Sequence, residues 1–295
     1  MLNKNILKSD GNFLKDIRNL CISYEQISVM RMRKIKDAVL YTRNFYSQLA
    51  QVYVQVKNTY TNQVMTLIKK NKIKDPKKML LLGKNDKSVS ILITANNKLY
   101  GDIIDRLYQS FREEIGKKDS DLVIVGSLGK ELYESSGMNR PYKYFEITRE
   151  DNLTLADLKP IVSHIAQYSR INVYFGRYET FFNQIPLMEN ISGDIRVGED
   201  DEIIKKKFYY FEPDLEKILL FFETQIFANL FKQTAYESQL ARFASRVQAM
   251  EEALSTIEKE EKELAFQARK ANILIEDRKQ RERVKQIYFK MKKYD

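Results

Sequence analysis

Apolar residues recur every three or four positions from about Phe13 to Lys72: at Ile17, Leu20, Tyr24 and Ile27, then at Ile35, Val39, Tyr46, Leu49, Tyr53, Val56 and Tyr60. This is the period of an amphipathic α-helix whose apolar stripe drifts slowly around its axis. No Gly or Pro interrupts the segment, and Asp10-Gly11-Asn12 supplies capping side chains at its start. A helix over 13–60 spans roughly 70 Å, far more than an ordinary globular helix.

Between about Ser88 and Phe211 the period changes. Val89–Thr94, Leu122–Gly126 and Asn172–Phe175 are short β-branched apolar runs, the signature of buried strands. Amphipathic helices are predicted between them over Gly101–Ile115 and Leu155–Tyr168, with a short one at Lys130–Ser136. Strands alternating with helices imply βαβ crossovers and a mostly parallel sheet. Pro186 makes the later segment Gln184–Ile191 an edge strand, because Pro cannot donate to a ladder.

After Pro213, which suits the first turn of a helix, the chain again has no Pro or Gly. Leu240, Phe243, Val247, Met250, Leu254 and Ile257 step by three and four; Leu264, Ala268, Ala271 and Ile275 resume the pattern after a gap at Glu261. That is a coiled-coil heptad, and unbroken it extends roughly 115 Å. Each long helix carries one narrow apolar stripe, and the simplest partner for each is the other helix, antiparallel. The expected architecture is α/β: two long terminal helices forming an antiparallel coiled coil, with a central α/β domain. The divisions are 1–72, 73–211 and 212–295.

Composition narrows the function classes. The net charge of +10 comes from 50 basic against 40 acidic residues. The excess is modest and does not by itself choose among nucleic acid, an anionic membrane surface and an acidic protein. Cys21 is the only cysteine, which excludes an internal disulfide and fits a small buried thiol in a reducing compartment. No run of 18 apolar residues exists to span a membrane, and Met1–Asp10 has no signal-peptide core. A cytoplasmic protein is expected.

No enzyme constellation survives inspection. Gly126-Ser127-Leu128-Gly129-Lys130-Glu131 has two residues between its glycines where a phosphate loop has four, and a carboxylate follows the Lys. An ordinary strand-to-helix turn is expected there. His164 is the only histidine and has no Cys companion for a metal site. Glu258, Glu260, Glu261 and Glu263 alternate with Lys259 and Lys262, as in surface i,i+4 pairing. No catalytic, metal-ligating or cofactor-binding residue is therefore expected. Arg278–Lys293 holds eight basic residues against Glu282, interrupted by Tyr288 and Phe289. That composition fits a solvated helix end, an acidic partner or a nucleic-acid surface.

The ordered set of motifs resembles the γ subunit of F-type rotary ATPases. Gln26-Ile27-Ser28-Val29-Met30-Arg31-Met32 is similar to the family's "IT-x-AM-(K/R)-M". Ile93–Gly101 stands where the family has "TSDRGLCG", and Val125–Lys130 where it has "VG-R-KG". Tyr209-Tyr210-Phe211-Glu212-Pro213 resembles "Y-x-FEP", and Glu237–Ala253 resembles "ES-x-ASEHAARM-x-AM-x-NA". Gln267-Ala268-Arg269-Lys270-Ala271 looks like the later "R-x-R-QA". The likeness covers about 13–275. The departures are Ala95 and Lys98 in the loop after the first strand, Arg33, Lys34 and Lys36 on an Ala-rich stretch, Arg242 and Phe243 in place of the "SEH" segment, and the longer basic tail.

The resemblance implies a Rossmann-like central domain and a non-catalytic central shaft without cofactor. It implies three α and three β catalytic subunits as partners, an ε-type subunit, and a membrane proton ring below, with no nucleic acid. The complex would sit peripherally on the cytoplasmic side of the membrane. Arg31, Arg33, Lys34, Arg242 and Arg246 match the stretches that meet the catalytic hexamer. Two further readings stay open: the shaft of an F-type-like ATPase repurposed for motility, such as the gliding motors of some mycoplasmas, and a static coiled-coil scaffold.

Overall fold

The computed structural model describes residues 4–69, 85–116, 119–147, 154–191 and 215–291. The Tyr209–Pro213 motif, with its expected helix start, lies outside them. Helix α1 is Lys4–Lys69 and the last helix, α5, is Leu215–Met291. Between them come β1 (Asn85–Ile93), α2 (Ile103–Ile115), β2 (Asp121–Val125), α3 (Ser127–Ser135), β3 (Tyr142–Phe145), α4 (Leu155–Ile165), β4 (Tyr168–Tyr178) and β5 (Gln184–Asn190).

The first helix starts earlier than its capping signal predicts. Asp10-Gly11-Asn12 lies inside α1 and caps nothing. Leu7 and Leu14 are both buried, so the apolar stripe continues across Gly11. An interior Gly costs a helix only about 1 kcal/mol relative to Ala, too little to stop one whose face is being buried.

The five strands are ordered β3-β2-β1-β4-β5. The first four run parallel, and β5, which carries Pro186, is the antiparallel edge. Ile91 stands beside Val123 and Val173, and Leu92 beside Ile124 and Tyr174. Alternate residues of a strand face opposite ways, so these rows feed two cores. One holds Ile91, Val123, Val173 and Phe175 with Leu158, Ile161 and Ile165 of α4 and Leu230, Phe231 and Ala235 of α5. The other holds Leu92, Ile124 and Tyr174 with Leu107, Phe111 and Ile115 of α2 and Tyr133 of α3. Strand β3 has no counterpart in the sequence reading. Its burial is only partial, and Tyr-Lys-Tyr-Phe lacks the continuous β-branched run that marks β1 and β2.

The described residues pack as two units. The sheet unit runs from Val29 to Arg246 and includes the adjoining stretches of both long helices. The second unit pairs α1 up to Ser28 with α5 from Val247 on. Its core is Leu14, Cys21, Met250 and Ile257, flanked by Ile17, Tyr24, Leu254 and Leu264. The lone thiol is thus a small buried side chain in a helix seam. In this unit Arg18 meets Glu261 at 3.4 Å; in the sheet unit Arg31 meets Phe243. Within the sheet unit Val52 of α1 packs into the cluster that holds Leu230, Phe231 and Ala235 of α5, while Met32 and Ile35 pack with Phe243, so there the two helices run antiparallel.

Candidate partner-contact site

Five cations carry the sequence-level expectation of partner contact, and the structure sorts them into two kinds. Arg33 and Lys34 are exposed on α1 and Arg31 is half-buried. Arg242 and Arg246 are only 2% and 3% exposed. Arg33 and Lys34 therefore stand on the surface of the chain, whereas the α5 pair is packed inside it. They lie in a run of buried residues that includes Glu237, Ser238, Gln239 and Ser245.

What buries them is the loop between β1 and α2. The Arg242 Nη1 donates to the carbonyl of Thr94. Arg246 donates from Nε to the Leu99 carbonyl at 3.2 Å and from Nη2 to the Lys98 carbonyl at 3.0 Å. The Ser245 hydroxyl donates to the Tyr100 carbonyl at 2.7 Å. Three consecutive loop carbonyls, 98 to 100, are thus held from one turn of α5. The Tyr100 ring lies 3.8 Å from the Arg246 guanidinium and 5.8 Å from that of Arg242. On the α1 side the Arg31 guanidinium sits 5.8 Å from the Phe243 ring. Hydrogen bonds from a charged donor contribute about 1.5–3 kcal/mol each, and a desolvated cation–π contact about 2 kcal/mol. The planar fork of arginine suits this two-carbonyl grip; the point charge of lysine does not. Leu99 is fixed here at φ 73°, a left-handed backbone that a branched side chain adopts at a cost of about 1–3 kcal/mol. Its side chain is nevertheless 48% exposed.

The same loop answers the phosphate question. The α3 N–H of Ser127 is taken by the Asn96 side-chain oxygen at 3.0 Å, that of Leu128 by the Ala95 carbonyl at 2.9 Å, and that of Gly129 by Thr94 Oγ1 at 3.0 Å. These first-turn donors are what a helix N-terminus offers an anion, and here the loop uses them. A Cβ on Gly129 would stand 2.6 Å from Thr94 Oγ1, so the glycine serves close packing. Lys130 is beside Glu134 at 3.9 Å and over the Tyr144 ring at 5.3 Å. His164 lies among the rings of Phe145 and Tyr168. Glu258 pairs with Lys262 at 2.7 Å, an i,i+4 contact that lowers its carboxyl pKa.

Sequence reasoning missed the receiving carbonyls of Thr94, Lys98, Leu99 and Tyr100, and the further donor Ser245. One signal was present. Arg242 and Arg246 are set among Ala241, Ala244, Ser245 and Ala249, and small neighbours let another backbone approach a helix closely.

A family model described as ATP synthase matches residues 7–273, which takes in the sheet and most of both long helices. The chain belongs to that family. It is similar to the ATP synthase gamma chain of Pelotomaculum thermopropionicum, 22% identical over 250 residues that cover 81% of this chain and 82% of the relative. To the ATP synthase gamma chain of the Brugia malayi Wolbachia it is 21% identical, covering 81% of this chain and 87% of the relative. Among solved structures it is similar to a chain of the Tetrahymena thermophila mitochondrial ATP synthase central stalk and c-ring, with a TM-score of 0.56 and 13% identity, covering 79% and 99% of the two chains. A chain of the Euglena gracilis mitochondrial ATP synthase gives 0.54 and 11%, covering 87% and 93%. The last two show the fold alone. The γ-subunit resemblance drawn from the motifs is therefore borne out at the level of the family, and the repurposed-motor and scaffold readings gain nothing from these relatives.

Proposed function

We propose that the chain is the central rotary shaft, the γ subunit, of an F-type ATP synthase, coupling rotation to ATP synthesis or hydrolysis in a surrounding hexamer of three α and three β subunits. The observation that carries this reading is the extent of the family match, residues 7–273, across both antiparallel helices and the sheet. The fold suits the task. Two paired helices resist bending better than one. An asymmetric shaft presents a different face to each catalytic subunit and so biases each toward a different state, which is coupling in the thermodynamic sense.

The shaft itself is non-catalytic and peripheral, on the cytoplasmic side of the membrane, with an ε-type subunit and a proton ring as further partners. Among the described residues no helix is long and apolar enough to cross a membrane. Its parts follow the chain: 1–72 and 212–295 as shaft, 73–211 as the attached domain. Within the site, Arg33 and Lys34 meet acidic groups of the hexamer directly. Arg31, Arg242 and Arg246 act from behind, by fixing the loop and helix surface offered to the hexamer. Individually weak, long-range charge contacts suit a surface that must turn without sticking.

Purification of the native complex through a tag on this chain tests the proposal. Six ATPase subunits per copy are expected, and the isolated chain, with or without Lys130→Ala, should hydrolyse no ATP. Recovery without ATPase subunits would overturn it.

A further inference from the structure

The β4–β5 hairpin ends in a turn whose residues neither folding nor packing explains. Its tip is Thr180-Phe181-Phe182-Asn183, where the Asn183 N–H donates to the Thr180 carbonyl at 3.2 Å. Gly, Asn, Asp, Pro and Ser suit such a tip, because they supply the backbone angles or the local hydrogen bonds of a turn. Phenylalanine supplies neither. The hairpin does not bury the rings either: Phe182 is 75% exposed and Phe181 is half-buried. The two meet edge to face, with ring centroids 5.0 Å apart and planes at 90°.

The turn is braced from beneath. The N–H groups of Glu179 and Thr180 both donate to the Asn183 carbonyl, at 3.2 and 3.1 Å. The Gln184 side chain is only 2% exposed. Its Nε2 donates to the carbonyls of Thr180 at 3.1 Å and Phe181 at 2.6 Å. Asn183 Nδ2 donates to the Glu179 carboxylate at 2.7 Å, and Arg106 of α2 donates from Nη2 to the Gln184 carbonyl at 2.9 Å. A buried amide committed to the turn's own backbone fixes where the rings stand. Rings held in place beforehand lose little freedom on binding, and this makes them effective anchors.

We propose that Phe181 and Phe182 anchor a partner protein that turns with this chain, by entering an apolar pocket on it. The choice of a co-rotating partner rests on the shaft function proposed above. Withdrawing a seated aromatic anchor weakens a complex about tenfold or more. A face that passes each sector of the hexamer in turn cannot hold every sector in that way. The anchor therefore belongs to a face that keeps one neighbour through the whole revolution. Charge separates a protein pocket from a lipid surface. From Arg177 to Asn190 the hairpin carries Glu179 and Glu189 against Arg177 alone, whereas segments that lie on anionic membranes carry Lys and Arg beside their aromatic residues.

The test uses the native complex with a photo-crosslinking phenylalanine analogue at Phe182 or, separately, at Lys34. Lys34 should crosslink to ATPase subunits, which tests the shaft reading by itself. Phe182 should crosslink to one protein that is not an ATPase subunit, that is present once per copy of this chain, and that is joined through a segment of aliphatic residues and Met. The yield should be the same with ADP and with a non-hydrolysable ATP analogue. The Phe182→Ser variant should carry about tenfold less of that partner through gel filtration. Its isolated chain should melt at the same temperature as the unaltered one, which separates docking from folding. Crosslinks from Phe182 to ATPase subunits, to this chain alone or to nothing would overturn the proposal, even where Lys34 still finds the hexamer. So would full retention of the partner by Phe182→Ser. Binding of the full chain to vesicles of equal phosphatidylglycerol and phosphatidylcholine, abolished by the same variant, would overturn it as well.

Discussion

Arg242 and Arg246 show how burial changes the meaning of a charge. On the surface of a helix an arginine contributes little, because water and salt screen it. Here each guanidinium replaces water with loop carbonyls, and removal strands those acceptors in a dry place. Arg246→Lys should therefore cost about 1–3 kcal/mol in urea unfolding. Arg33→Glu and Lys34→Glu, both exposed, should change stability by less than about 0.5 kcal/mol and act only on the assembled enzyme. Equal stability losses at all three positions would contradict this division. Gly129 is a residue-scale counterpart. Ala there forces its Cβ against Thr94 and Ile124, and overpacking of that kind costs about 1–3 kcal/mol, again read by urea unfolding.

Tyr168 offers a test by pH. Burial first, then the hydrogen bond and charge of Asp121, push its hydroxyl up from 10.0 to about 12. Between those values the unfolded chain releases the proton and the folded chain keeps it. The stability contributed by this tyrosine is complete below pH 10 and is lost as the pH rises toward 12. Urea midpoints measured across that window should fall, and Tyr168→Phe should fall less steeply. An identical slope in both proteins would show that the hydroxyl is not held as described.

At the scale of elements, the two long helices, β1, β2, β4, β5 and their connecting helices were legible because burial on one or both faces leaves a periodic trace. Strand β3 was not, since a half-buried edge needs no apolar run. The start of α1 was misplaced because Gly11 looks like a cap in isolation; only the buried Leu7 and Leu14 show that the helix passes through it. The candidate site was half legible. Its cations stood out by type, but their burial depends on a loop about 145 residues away in sequence, and no local pattern reports such a contact. Gly11 also carries a prediction. Nothing lies within 4 Å of a Cβ built there, so Gly11→Ala should stabilise the chain by about 0.5–1 kcal/mol, seen as a higher melting temperature. A lower one would mean that this stretch is not helical.

For the whole molecule, the family match and the guanidinium grip on the β1 loop fit one account, in which the sheet is fastened to the adjoining stretch of α5 in a γ subunit that rotates. Rotation itself is the most direct test. The complex would be fixed to a surface by its catalytic subunits, and a bead attached through a cysteine introduced at Lys143, an exposed position on β3; the native Cys21 is buried and does not compete for the label. On addition of ATP the bead should turn continuously in one direction and stop when the nucleotide is removed. A bead that stays still, or that wanders equally both ways while the complex hydrolyses ATP, would contradict the account.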